Sequence, residues 1–185
     1  EHTATTANFT VLAGLAGSGK TDVLAKLPHA INLEGLAHHR GSSFGKRAGG
    51  QPSQIDFEHR LSIALLYKTA NGHRHFVLED ESRIIGHCAI PACVHTRMQQ
   101  SQLVWLEEPL NLRVQRILRD YISGSLAEFE MVYGQTDAFS RFATQLQDNL
   151  KRITRRLGDQ AYRKLATLMN QALETQKNSG LIDAH

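Results

Sequence analysis

A chain of 185 residues with 41% hydrophobic side chains is long enough for one ordinary hydrophobic core. It has no run of some eighteen apolar residues, no charged-then-apolar leader at Glu1-His2-Thr3-Ala4, and only two cysteines. A soluble, cytoplasmic, monomeric protein without a membrane span, a signal peptide or a disulfide framework is therefore expected. The formal charge of +3 and pI near 9.0 prove nothing by themselves about nucleic acid. The chain begins without Met, which predicts an excised or processed piece with neighbouring domains outside it.

The first predicted strand, about residues 10–13, runs into Gly14-Leu15-Ala16-Gly17-Ser18-Gly19-Lys20-Thr21, a full G-x-x-x-x-G-K-[ST] phosphate loop. Glycines let successive backbone N–H groups point inward, and the helix that follows adds the positive end of its dipole. Lys20 brings an ammonium to the terminal phosphate oxygens, and Thr21 offers a hydroxyl of the kind that ligates magnesium. Gly14, Gly17, Ser18, Gly19, Lys20 and Thr21 are the predicted cofactor-binding set. The first helix is expected from about Lys20 to Leu27, where Pro28 ends it, and residues 30–33 form a second short strand.

Residues 34–50 are polar and glycine-rich, a loop long enough to be functional; His38, His39 and Arg40 lie in it. Ser53 with Asp56 starts a helix to about Thr69, with Ile55, Leu61, Leu65 and Leu66 as its apolar contributors. His75-Phe76-Val77-Leu78-Glu79-Asp80 reads as a strand ending in two acids, where a nucleotide-type fold sets the carboxylate that orders magnesium. Thr21, Glu79 and Asp80 are the predicted metal set, with Arg83 a candidate phosphate contact. His87, Cys88, Cys93 and His95 either supply zinc ligands or are packing positions with surface histidines, since C-x4-C is not a strong spacing.

Residues 102–106 predict a buried strand, followed by a helix to about Ile122 carrying Arg113, Arg116 and Arg119 on one side. Those arginines either reach phosphate or form a solvated face. From Ser125 the chain reads as helical, with one apolar stripe at Leu146, Leu150, Ile153 and Leu157 and another at Ala161, Leu165, Leu168 and Ala172. Between Arg141 and Lys164, seven basic residues (Arg141, Lys151, Arg152, Arg155, Arg156, Arg163, Lys164) stand against two acids, Asp148 and Asp159. Lys151, Arg152, Arg155 and Arg156 suit a sugar–phosphate backbone or a solubilising face. The expected architecture is a P-loop NTPase-like α/β fold, a parallel sheet flanked by helices with a helical C-terminal part. It forms a single domain 1–185 with an α/β core to about residue 123 and a helical extension from about 124. No Asn-Lys-x-Asp or Asp-x-x-Gly sequence is present, which argues against an ordinary GTPase.

GLAGSGKT, LEGLAHHRGSSFG, VLEDESRIIG and LVWLEEP, in that order, closely resemble the C-terminal domain of the tRNA 2-selenouridine synthase family. The second of these segments is the most telling, because the phosphate loop alone is shared by many unrelated proteins. The resemblance implies a transferase acting on the wobble uridine of tRNAs for lysine, glutamate and glutamine. It implies two stages: S-geranylation of 2-thiouridine by geranyl diphosphate, then replacement of the geranylated sulfur by selenium from selenophosphate. It also implies an N-terminal rhodanese-like domain with a catalytic cysteine, a role that passes to neither Cys88 nor Cys93. On this reading Lys20, Arg40 and Asp80 are the catalytic candidates, and His38, His39, Arg40, Arg113, Arg116 and the four basic residues at 151–156 meet substrate. Two other readings stay open. One is a tRNA-recognition module with ATP or GTP in the loop and no chemistry of its own, and the other is a small-molecule kinase.

Overall fold

The computed structural model describes residues 7–180. Its elements are β1 (Asn8–Ala13), α1 (Lys20–Leu24), β2 (Ala30–Ile31), α2 (Leu33–Ala37), α3 (Gln54–Ala70), β3 (His75–Glu79), β4 (Ile84–Ile85), β5 (Cys88–Ala89), α4 (Ala92–Gln99), β6 (Gln102–Trp105) and α5 (Leu110–Ile117). A π-helical turn over Leu118–Ser123 leads to α6 (Gly124–Arg152), α7 (Thr154–Leu157) and α8 (Asp159–Ser179). The described residues form two compact units, one of residues 7–41 with 50–116 and one of residues 42–49 with 117–180.

The first unit is built on a parallel sheet in the order β2-β3-β1-β6, with β4 and β5 as a separate antiparallel hairpin. β1 lies between β3 and β6, so the loop leaving its carboxyl end opens between two neighbouring strand ends, where open α/β sheets bind ligands. Phe9 and Val11 of β1 and Phe76 and Leu78 of β3 join Phe57, Leu61 and Leu65 of α3 in one core. Helix α3 starts where Ser53 Oγ accepts a hydrogen bond from the Asp56 N–H at 3.1 Å and donates to Asp56 Oδ2 at 2.7 Å, satisfying an amide the helix leaves open. Its buried face is Phe57, Leu61 and Leu65, whereas Ile55 and Leu66 of the expected stripe are solvent-exposed. Phe57 carries the 3.6-residue period that Ile55 does not.

Two other expectations change. The polar segment after β2 is not loop throughout: the Asn32 side chain caps α2 by accepting from the Gly35 N–H, and His38 closes it in the left-handed conformation at φ 50°. β6 is not a buried strand, because all four of its residues are exposed at the sheet's edge.

In the second unit, Phe129, Ala138, Phe142 and Leu146 of α6 pack with Leu173 of α8 and with Ala48. Residues 42–49 are tied in by the Arg47–Glu128 ion pair and by Gln145 Nε2 donating to the Lys46 carbonyl at 2.8 Å. Helix α6 kinks at Gly134, whose φ of 76° and ψ of 159° leave helical space. The second expected stripe is largely outside the core: Ala161, Leu165 and Leu168 are exposed, and only Ala172 of that set is buried, joined by Leu173.

Candidate phosphate-binding site

The loop is shaped by what its glycines lack. At Gly14 a Cβ would lie 2.6 Å from both the Leu106 carbonyl and Ser18 Oγ, and at Gly19, with φ of 91°, it would lie 3.0 Å from Arg116 Cζ. Any side chain at either position displaces a strand end or a guanidinium. Two arginines of α5 brace the loop from outside: Arg113 Nε donates to the Ala16 carbonyl at 3.0 Å and Arg116 Nη1 to the Gly17 carbonyl at 2.9 Å. Arg116 is held in turn by Asp22 at 3.2 Å and Glu108 at 3.1 Å. The Ser18 N–H pairs with the Leu15 carbonyl at 3.1 Å, and drawing the Ala16 and Gly17 carbonyls outward leaves the other loop N–H groups for a ligand, an arrangement suited to an anion. Ser18 is buried and its Oγ makes no hydrogen bond.

Lys20 opens α1 and donates from Nζ to the Gly14 carbonyl at 2.7 Å, folded back on its own loop. Beside it lie three carboxyl groups. Glu79, at the end of β3 and 1% exposed, accepts through Oε2 from the Leu33 N–H at 2.6 Å and the Glu34 N–H at 3.3 Å. Its Oε1 is buried with no partner. Burial, reinforced by the Glu34 charge, pushes the Glu79 carboxyl up to about 7 against the two backbone donors and Lys20. Glu81 is pushed up to about 8, by burial first and then by the charge of Glu34 and a hydrogen bond shared with it. A buried carboxylate oxygen with no donor, next to a phosphate loop, fits a divalent cation. Glu79 and Thr21, the latter exposed on the first turn of α1, are the residues present to hold one.

The remaining expected residues are spread more widely. Asp80 is exposed, and its N–H pairs with the Leu12 carbonyl at 3.0 Å. His38 directs Nδ1 to the Gly50 carbonyl at 2.7 Å, His39 is buried, and Arg40 is half-buried directly after it. Arg83 is exposed where the β4–β5 hairpin begins, its carbonyl accepting from the Ile90 N–H at 2.8 Å. Arg119 lies on the π-helical turn and pairs with Asp120 at 2.6 Å. Lys151, Arg152, Arg155 and Arg156 are all exposed in the helical unit. Among the described residues no group of three or more His, Cys, Asp or Glu could hold a metal ion. His87 Nε2 instead meets the Pro52 carbonyl at 3.0 Å, and Cys88 is buried beside Gln51. Glu34 and Glu81 escaped the sequence reading; the available signal was an acid in the first turn after β2 and another two residues past Glu79.

A family profile described as the tRNA 2-selenouridine synthase AAA domain matches residues 7–185. The chain belongs to that family. It is 51% identical over 177 residues to the tRNA 2-selenouridine synthase of Bordetella bronchiseptica, covering 96% of this chain and 48% of that protein. It is 52% identical over 178 residues to the protein of the same name from Ectopseudomonas mendocina, with 96% and 48% covered. With the Pseudomonas fluorescens protein of that name it shares 50% identity over 185 residues, covering 100% of this chain and 50% of that protein. The chain thus spans about half the length of the curated relatives it matches. No solved structure matches it. No helix among the described residues is long and apolar enough to cross a membrane.

Proposed function

We propose that this chain is the phosphate-loop part of a tRNA 2-selenouridine synthase, holding the diphosphate of geranyl diphosphate in Gly14–Thr21 while the wobble 2-thiouridine of a tRNA attacks the allylic carbon. The observation that carries the reading is the braced loop itself, with Lys20 and the buried, partnerless Glu79 oxygen at its mouth. Leu15 of the loop, and Leu110 and Val114 on the helical face that carries Arg113, are each more than half exposed, offering apolar surface beside an anion site. The relatives' name supports a role in tRNA 2-selenouridine synthesis, and the geranyl chemistry is what the family resemblance implies.

In that reaction the thiouridine sulfur forms a bond to the allylic carbon, the carbon–oxygen bond to diphosphate breaks, and the electron pair leaves on the diphosphate. The uracil N3 proton is lost. Lys20 leaves the Gly14 carbonyl for the oxygen that gains charge, and the loop amides bind the rest of the anion without reorganising. Magnesium, when bound at Thr21 and Glu79, supplies further charge neutralisation. In the second stage selenophosphate supplies the selenium that replaces the geranylated sulfur. The exposed Lys151, Arg152, Arg155 and Arg156 neutralise tRNA phosphates, and the proposed partner within the full-length protein is the rhodanese-like domain.

Calorimetry with geranyl diphosphate, ATP and GTP, each with and without magnesium, tests this. Saturable binding of geranyl diphosphate that Lys20→Ala abolishes is expected. Tight nucleotide binding with no response to the prenyl donor would move the chemistry out of this chain and leave it a nucleotide-controlled tRNA-binding module.

A further inference from the structure

The parallel sheet has two edges of unlike character. β2 is two residues long and buried, the short protected kind of edge. β6 is four residues long, and Leu103, Val104 and Trp105 are 55%, 43% and 51% exposed. Because strand side chains alternate, Leu103 and Trp105 lie on one face and Val104 on the other, so apolar surface is bare on both. Strands of parallel sheets are ordinarily covered on both faces. The sequence Gln102-Leu103-Val104-Trp105 also holds no charge, proline or bulge to discourage pairing.

The hydrogen-bonding side is equally open. Leu106 donates its N–H to the Ala13 carbonyl at 2.8 Å, continuing the β1–β6 ladder. In a parallel ladder alternate residues direct both N–H and C=O to the same neighbour, so Gln102 and Val104 share β1 with Leu106. Leu103 and Trp105 direct theirs outward, where no strand of the described residues pairs with them. About half the length of the relatives lies outside the region matched here.

We infer that in the full-length protein a β-strand from polypeptide outside residues 1–185 adds to the outer edge of β6 as a fifth strand of this sheet. A tethered strand acts at an effective concentration near millimolar, whereas a second copy meeting this four-residue edge falls far short of the roughly 1,000 Å² a specific interface needs. The inference does not depend on what occupies the phosphate loop.

Residue-resolved amide hydrogen exchange on this chain and on the full-length protein tests it. In this chain the Leu103 and Trp105 amides are expected to exchange fast and those of β1 and β3 slowly. In the full-length protein Leu103 and Trp105 slow by about 100-fold. Leu103→Pro in the full-length protein removes only an outward donor, a position where an edge strand tolerates proline. It returns Trp105 to fast exchange while β1 and β3 stay slow. Equal, fast exchange of Leu103 and Trp105 in both wild-type proteins overturns the inference. So does protection in this chain that grows with its concentration, which would assign the edge to a second copy. Slow Trp105 exchange that survives Leu103→Pro in a folded variant also overturns it, because the edge would then be covered without being paired. Should the variant unfold, the comparison of the two wild-type proteins decides alone.

Discussion

β3 and β6 flank the same strand and read alike in sequence, as short apolar runs bounded by polar residues, yet one is buried from Phe76 to Glu79 and the other is exposed at every position. Their neighbours make the difference. β3 has strands on both sides and α3 over it, and it spends that enclosure on a carboxyl group whose charge is costly where it sits. β6 has one strand beside it and ends where its last ladder bond fixes the start of the phosphate loop. Apolarity alone does not rank a strand as central or peripheral; the count of hydrogen-bonded neighbours does.

The comparison breaks if the two strands respond alike to truncation. Phe76→Ala, at a fully buried ring, is expected to lower unfolding stability by about 3 to 5 kcal/mol, read as a shifted urea midpoint. Glu79→Gln sharpens the same contrast through pH. The folded Glu79 carboxyl keeps its proton up to about 7 against an ordinary 4.5, so unfolding releases protons across that window and stability falls as pH rises through it. The ligand-free protein should therefore be more stable near pH 5 than near pH 8, and Glu79→Gln should recover about 1 to 3 kcal/mol at the higher pH while flattening the profile. A variant that keeps the full slope would assign it elsewhere, with Glu81 the next group to replace. Trp105→Ala in this chain should cost about 1 kcal/mol or less in the same urea titration, since half the ring is already in water. As the single tryptophan, Trp105 should also show water-exposed emission that acrylamide quenches readily.

The phosphate loop was legible because its chemistry fixes both residue types and spacing: glycine where a Cβ has no room, then lysine and threonine. The parallel sheet and the helical C-terminal part followed from periodicity. Other features needed three dimensions. The bracing by Arg113 and Arg116 depends on α5 meeting residues 97 and 99 positions earlier, and no local pattern separates that from a solvated face. Helix α2 hid inside a polar stretch because Asn32, a turn former by composition, acts there as a cap. Of the two acids at the end of β3, Glu79 is buried and Asp80 faces solvent, a difference that the unbroken apolar run before them does not signal.

Prenyl transfer by the full-length enzyme carrying Lys20→Ala, measured with geranyl diphosphate and a tRNA bearing 2-thiouridine at the wobble position, tests the central claim most directly. A loss of about 100-fold or more in turnover, with the tRNA still bound, is the predicted result. Transfer at the wild-type rate would contradict the account and take the diphosphate out of this loop.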